Sequence, residues 1–212
     1  MRFVVHTDGN QRKPNPRGAG GALREEIVQA AVRLVRGRDG LAGITLRSVA
    51  REARITAPSI YGHFGNLDAI LDAVVDRAFD DLTATLETAR AAHAAPVPRL
   101  RALCRAYASF AVAEPRLYAL LFDRDQVPSL RAAESKSVDT MPGARAFAML
   151  RDAVRACVAA GDSTSADPLR DAVLLWTALH GYVSLLRSAA DFPWPSREDV
   201  LDQLADRLAL VR

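Results

Sequence analysis

Between Thr45 and Phe64 the chain reads TLRSVAREARITAPSIYGHF. The side chains there that can do chemistry are hydroxyls, a phenol, an imidazole and guanidiniums: Thr45, Arg47, Thr56, Ser59, Tyr61 and His63. Nowhere does the chain offer a nucleophile elbow, a phosphate loop, paired carboxylates on one face or a metal-ligand cluster, so catalysis is not expected and neither a metal nor another cofactor is implied. Short donors and acceptors on a segment with no obvious core to enter suit a different task. They can hydrogen-bond to phosphate oxygens and base edges, as a helix-turn-helix DNA reader does.

Spacing decides how these groups are presented. Thr45 is placed as an N-cap, its hydroxyl able to accept from a free amide of the next turn. Ile44 and Val49 stand at staple spacing around it, and Leu46, Val49, Ala50 and Ala53 form one stripe. Thr56 repeats the device, with Ile55 and Ile60 as its staple and Pro58 in the first turn, where a missing N–H costs nothing. Two caps this close leave two very short helices that cannot stand alone. They must pack on the preceding segment, where Leu23, Ile27, Ala30, Ala31, Leu34 and Val35 recur at spacings of three and four. The expectation is a three-helix head over residues 22–67, behind a flexible arm of residues 1–21. In the arm, Arg12, Lys13 and Arg17 are available to touch phosphates or enter a minor groove.

Charge follows the same division. Residues 1–65 hold eleven Lys and Arg against five acids, which leaves −3 on the remainder of a chain whose net charge is +3. A basic front on a mildly acidic body fits a nucleic-acid-binding head.

Residues 68–212 read as a body of helices, and no strand-period segment of convincing length appears, so the class is all-α. Residues 168–190 are apolar around most of the circumference, which predicts burial on more than one side. With the amphipathic segment 196–211 they form a pair suited to a four-helix homodimer interface. Tyr107, Phe110, Tyr118, Phe147, Trp176 and His180 are candidates to line an apolar effector pocket, or else plain core. His180 reads either as a satisfied interior histidine or as a ligand contact, with Gly181 leaving space beside it. Cys104 and Cys157 stand among apolar helical residues, as buried thiols of a reducing compartment do. No apolar run approaches the roughly 18 residues of a membrane span, so a cytoplasmic protein with no membrane partner is expected.

The stretch from Ile27 to Leu71 resembles the N-terminal domain of the TetR family of transcriptional regulators. The resemblance rests on the pair Ala30–Ala31, Gly43 before the second helix, the T-L-R-x-V-A run from Thr45 and the S-I-Y-x-H-F run from Ser59. Trp176, His180 and Gly181 look like the W-x-x-x-H-G signature of one subgroup's C-terminal half. The resemblance implies that Thr45 anchors a phosphate and that Thr56, Ala57, Pro58, Ser59, Tyr61, Gly62 and His63 lie in or beside the major groove. Tyr61 and His63 would touch the backbone, and Ala57, Ser59 and Gly62 would sit near base edges. It further implies a homodimer that represses from a palindromic double-stranded DNA operator and is released by a small effector. Two departures stand out: Arg54 replaces the family's usual Gly in the turn, and Leu67 its usual Lys. The rival expectations are an effector-independent or architectural DNA-binding protein, and a helical ligand carrier or enzyme.

Overall fold

The computed structural model describes residues 20–122, 139 and 141–212. The expected arm contacts Arg12, Lys13 and Arg17 lie outside these residues. Among the described residues every regular element is helical, apart from one isolated bridge between Ser163 and Val211. The chain forms two compact units that divide between Val74 and Val75, inside a long helix.

In the first unit α1 (Gly20–Arg36) is followed by a 3-10 turn (Gly40–Gly43), α2 (Leu46–Glu52), α3 (Ala57–Ile60) and the start of α4 (Leu67–Ala91). Ile27, Ala30, Ala31, Val35, Val49 and Ile60 are buried, so three amphipathic faces meet in one core. The first cap is complete. Ser48 N–H donates to the Thr45 hydroxyl at 3.0 Å, and Thr45 N–H donates to Ser48 Oγ at 2.8 Å, a reciprocal capping box. The second differs from expectation, because the Thr56 hydroxyl makes no cap to the backbone and instead pairs with the Ser59 hydroxyl at 2.8 Å. Phe64 closes the core beneath Arg24, whose guanidinium lies 4.8 Å from the ring centroid.

The turn between α2 and α3 is a Schellman motif. Arg54 N–H donates to the Arg51 carbonyl at 3.1 Å and Ile55 N–H to the Ala50 carbonyl at 2.9 Å. That geometry puts Arg54 in the left-handed region, at φ +57°. A glycine would take this conformation without penalty; arginine carries a Cβ that resists it.

The second unit continues α4 and adds α5 (Pro96–Ala113), α6 (Pro115–Leu120), α7 (Ala144–Ala159), α8 (Pro168–Ser188) and α9 (Arg197–Leu208). Pro96 and Pro98 occupy the first turn of α5, where no N–H is required. α5 is the central helix, packed against α6, α7, α8 and α9, with Leu100, Cys104, Ala108 and Ala111 fully buried. It is stitched to α9 by two forked pairs: Arg101 to Asp206 at 2.9 and 2.7 Å, and Arg105 to Asp202 at 2.9 and 2.6 Å. Cys104 and Cys157 are free and buried, and burial pushes both thiols up, Cys157 to about 11. α8 departs from the expectation of burial on several sides: Leu175, Leu179 and Val183 face the core while Leu169, Val173, Leu174 and Leu185 are exposed.

The strained turn generates a test. Replacing Arg54 by Gly removes the left-handed penalty and should stabilise the first unit by about 0.5–1 kcal/mol after the entropy of a freer unfolded chain is subtracted. Urea unfolding should show the rise in midpoint for Arg54→Gly and none for Arg54→Ala, which keeps the Cβ.

Candidate nucleic-acid interface and apolar cavity

The capping box and the Schellman turn aim α3 so that Ile60 enters the core and the opposite face meets solvent. Thr56, Pro58, Ser59, Tyr61 and Gly62 are exposed, Ala57 and His63 half-exposed, and Tyr61 stands out at 61%. Thr45, Arg47, Arg51 and Arg54 are also exposed, and the three arginines make no ion pair among the described residues. Arg33, by contrast, is held by Glu52 at 2.6 Å. Thr45, Arg47, Thr56, Pro58, Ser59, Tyr61 and Gly62 are therefore solvent-exposed on or beside α2 and α3, two helices that pack on each other, with Ala57 and His63 partly so. The cations there are free to neutralise phosphates and the hydroxyls to hydrogen-bond. Thr45's hydroxyl is already engaged in the cap, while those of Thr56 and Ser59 hold only each other. Leu67, at the start of α4, is half-exposed, and Asn66 supplies the helix cap through its Oδ1 to Ala69 N–H at 2.9 Å.

The second unit encloses an apolar cavity of about 50 Å³ between α4, α5, α7 and α8. Phe79, Leu82 and Leu86 from α4, Tyr107 from α5, Phe147 and Leu150 from α7 and Trp176 and Leu179 from α8 form most of its wall. Of the expected pocket residues, Tyr107, Phe147 and Trp176 line it, whereas Phe110, Tyr118 and His180 do not. Gly143 faces it in the left-handed region at φ +77°, and a Cβ there would collide with the Phe79 ring. Gly181 lies elsewhere; nothing stands within 4 Å of where its Cβ would be, and it opens onto the outer side of α8.

His180 and Tyr118 instead form a relay behind the cavity wall. The Tyr118 hydroxyl bonds His180 Nδ1 at 2.7 Å and the Tyr107 hydroxyl at 2.8 Å, joining α8, α6 and α5. Phe122 packs edge-on to His180 with centroids 4.4 Å apart. Burial pushes the Tyr107 phenol up to about 12, with hydrogen bonds to Tyr118 and Trp176 opposing it, and pushes Tyr118 further up. Burial lowers His180 below its ordinary value of 6.5. A neutral His180 accepts from Tyr118, which then accepts from Tyr107, so every hydroxyl proton in the chain is used. This relay was not readable beforehand, because residues separated by 62 and 11 positions meet only through packing. The stripe Phe79, Leu82 and Leu86 was legible as helical spacing, but nothing in it said that a void lay against it.

Among the described residues no group of three or more His, Cys, Asp or Glu is placed to hold a metal, and no helix is long and apolar enough to cross a membrane.

Residues 27–74 match the family model for bacterial regulatory proteins of the tetR family, and residues 100–210 match that for the tetracyclin repressor-like C-terminal domain. An HTH-type transcriptional regulator of Mycobacterium tuberculosis is 29% identical over 144 residues, 66% of this chain and 60% of the relative. The match thus spans less than two thirds of that relative's length. A solved structure from Rhodococcus sp. RHA1, described only as a protein of unknown function, is 28% identical with a TM-score of 0.76, covering 95% of this chain and 100% of that one. The TetR family regulator PfmR from Thermus thermophilus shares the fold at a TM-score of 0.60 and 20% identity, over 86% of this chain and 96% of its own.

The relay carries its own prediction. Tyr118→Phe removes the bridging hydroxyl, leaving His180 Nδ1 unpaired and the Tyr107 hydroxyl with Trp176 alone, which should cost about 1–3 kcal/mol in denaturant unfolding. Because the folded state holds His180 below its unfolded value, stability should fall as pH drops through about 6.5, where the unfolded chain binds the proton first. That fall should be smaller in His180→Phe.

Proposed function

The chain belongs to the TetR family of transcriptional regulators with a helix-turn-helix DNA-binding domain, and from this premise we propose that it is a homodimeric repressor released from its operator by a small apolar effector. The observation that carries the DNA-binding role is the exposed face of α3, with Tyr61, Thr56 and Ser59 solvent-exposed and Arg47 exposed on the preceding helix. In the proposed complex Tyr61, His63, Thr45 and Arg47 contact phosphates, and Ala57, Ser59 and Gly62 approach base edges from the major groove, with Thr56 and Pro58 at its margin.

Two features support the rest. The outer face of α8 presents Leu169, Val173, Leu174 and Leu185 to solvent, with Gly181 and Thr177 small enough to admit a close neighbour. On α9, Val200, Leu204 and Leu208 are half-exposed. A second copy of these helices would cover that apolar surface as a symmetric four-helix interface. None of the described residues that line the cavity is charged, so an apolar, uncharged effector fits it best. At about 50 Å³ it must expand before a molecule of ordinary effector size enters. The expansion is the basis of release: the effector favours the state in which the cavity is open, and in that state the paired heads no longer match two half-sites.

The small cavity, with His180 already satisfied by Tyr118, also supports a second reading in which no effector binds. Apolar compounds that raise the melting temperature and release DNA separate the two readings; stabilisation without release, or neither effect, favours the second.

Selecting bound fragments from the host genome supplies the operator for quantitative tests. Tyr61→Ala should weaken operator binding by about 10-fold or more. Arg47→Ala should weaken it across sequences and reduce the salt slope by about one. No selective binding at moderate salt would refute the role. Leu174→Glu with Leu185→Glu should give a folded monomer by light scattering, with operator affinity lost.

A further inference from the structure

Tyr182 is only 7% exposed, yet its hydroxyl has no hydrogen-bond partner. A buried hydroxyl left unpaired carries an uncompensated desolvation cost, and native structures tolerate few of them. Its ring stands edge-on to Trp194, with centroids 5.6 Å apart at 82°, and Trp194 is itself fixed by donation from Nε1 to the Ala189 carbonyl at 3.0 Å.

The two rings form one wall of a groove of about 470 Å³ at the C-terminal end of α8. Val112, Pro115, Leu186 and Pro195 complete an apolar lining. Two guanidiniums also line it, Arg187 near the end of α8 and Arg197 at the first position of α9. Neither makes an ion pair among the described residues, and none of the described residues lining the groove is acidic. Glu198, next to Arg197, is taken up by Arg105. The positive charge of Arg197 is felt at the Tyr182 hydroxyl, where it opposes the upward push of burial. The groove shares no lining residue with the apolar cavity.

We propose that this groove is a second small-molecule site whose ligand is an organic carboxylate with an aliphatic or aromatic body. The body lies against Trp194, Leu186 and Pro195, and the carboxylate is held by Arg187 and Arg197 with one oxygen accepting from the Tyr182 hydroxyl. Charge and shape both select this class. Unpaired guanidiniums beside a phenol donor match a carboxylate, and the volume falls within the roughly 300–1,000 Å³ of small-molecule sites. Water does not reach the hydroxyl in the unliganded groove. Its engagement therefore requires the 191–196 segment, which packs Phe192 against Trp194 at 4.7 Å, to shift. The site does not rest on the reading of the apolar cavity.

The chain has two tryptophans, so Trp176→Phe leaves Trp194 as the sole reporter in the full-length protein. Titration with octanoate should give a saturable change in Trp194 emission. Octan-1-ol should bind at least about 10-fold more weakly, and inorganic phosphate alone should produce no change. Arg187→Gln with Arg197→Gln should weaken octanoate about 10-fold or more, and Tyr182→Phe about 3- to 10-fold, with helical circular dichroism unchanged. In the chain retaining both tryptophans, octanoate should shift the NMR signals of the Arg187 and Arg197 Nε–H groups, so the result does not depend on Trp176→Phe folding. Equal affinity for octanol, saturation by phosphate alone, absence of saturation, or indifference to the arginine substitutions would each overturn the proposal.

Discussion

The DNA-binding head depends on two backbone hydrogen bonds. By donating from Arg54 and Ile55 to the carbonyls of Arg51 and Ala50, the chain closes α2 and reverses direction within three residues. α3 then begins at once, too short to hold itself together and therefore dependent on this turn and on Ile60 for its direction. The turn demands a left-handed residue, and this chain meets the demand with arginine. The strain is modest, and it sets an exposed cation on the surface of the head, where a glycine would have set nothing.

The second unit is organised about α5. Its small and aliphatic residues let four helices approach closely, and its arginines clamp α9 through forked pairs on adjacent turns. Such pairs are only partly buried, so they contribute register more than stability. Two of the spaces in this unit differ in chemistry. The described residues of the cavity wall carry no charge, and its wall-side hydroxyl is already satisfied by the relay to His180. The groove at the end of α8 has free guanidiniums and a hydroxyl with no partner. A low-dielectric cavity rejects an unpaired charge, whereas a cationic groove open to solvent attracts an anion. One small helical body therefore holds two environments of opposite preference.

The head was legible from the chain alone because its signals are local. Caps, staples and apolar spacing lie within a few residues of one another, and Thr45 with Ser48, Pro58 and Ile60 needed no distant partner to be understood. The helical class and the limits of α7, α8 and α9 were legible for the same reason. Thr56 was misread as a backbone cap because Ser59 offered its hydroxyl a competing partner. The apolar circumference of α8 was read as burial on several sides, although hydrophobicity alone does not distinguish a core face from one left uncovered in a single chain.

Local periodicity and capping chemistry thus determined which segments are helices, where the head begins its turn and which short stretch holds the polar groups of α3. Tertiary structure decided that Tyr61 faces solvent, that Tyr107, Tyr118 and His180 form one relay, that an apolar cavity of about 50 Å³ lies against Phe79, Leu82 and Leu86, and that Tyr182 is buried without a partner among the described residues. The division has a physical cause. Capping and helical spacing act over about one or two turns of chain, whereas burial, hydrogen-bond partners and voids depend on which remote side chains packing brings together.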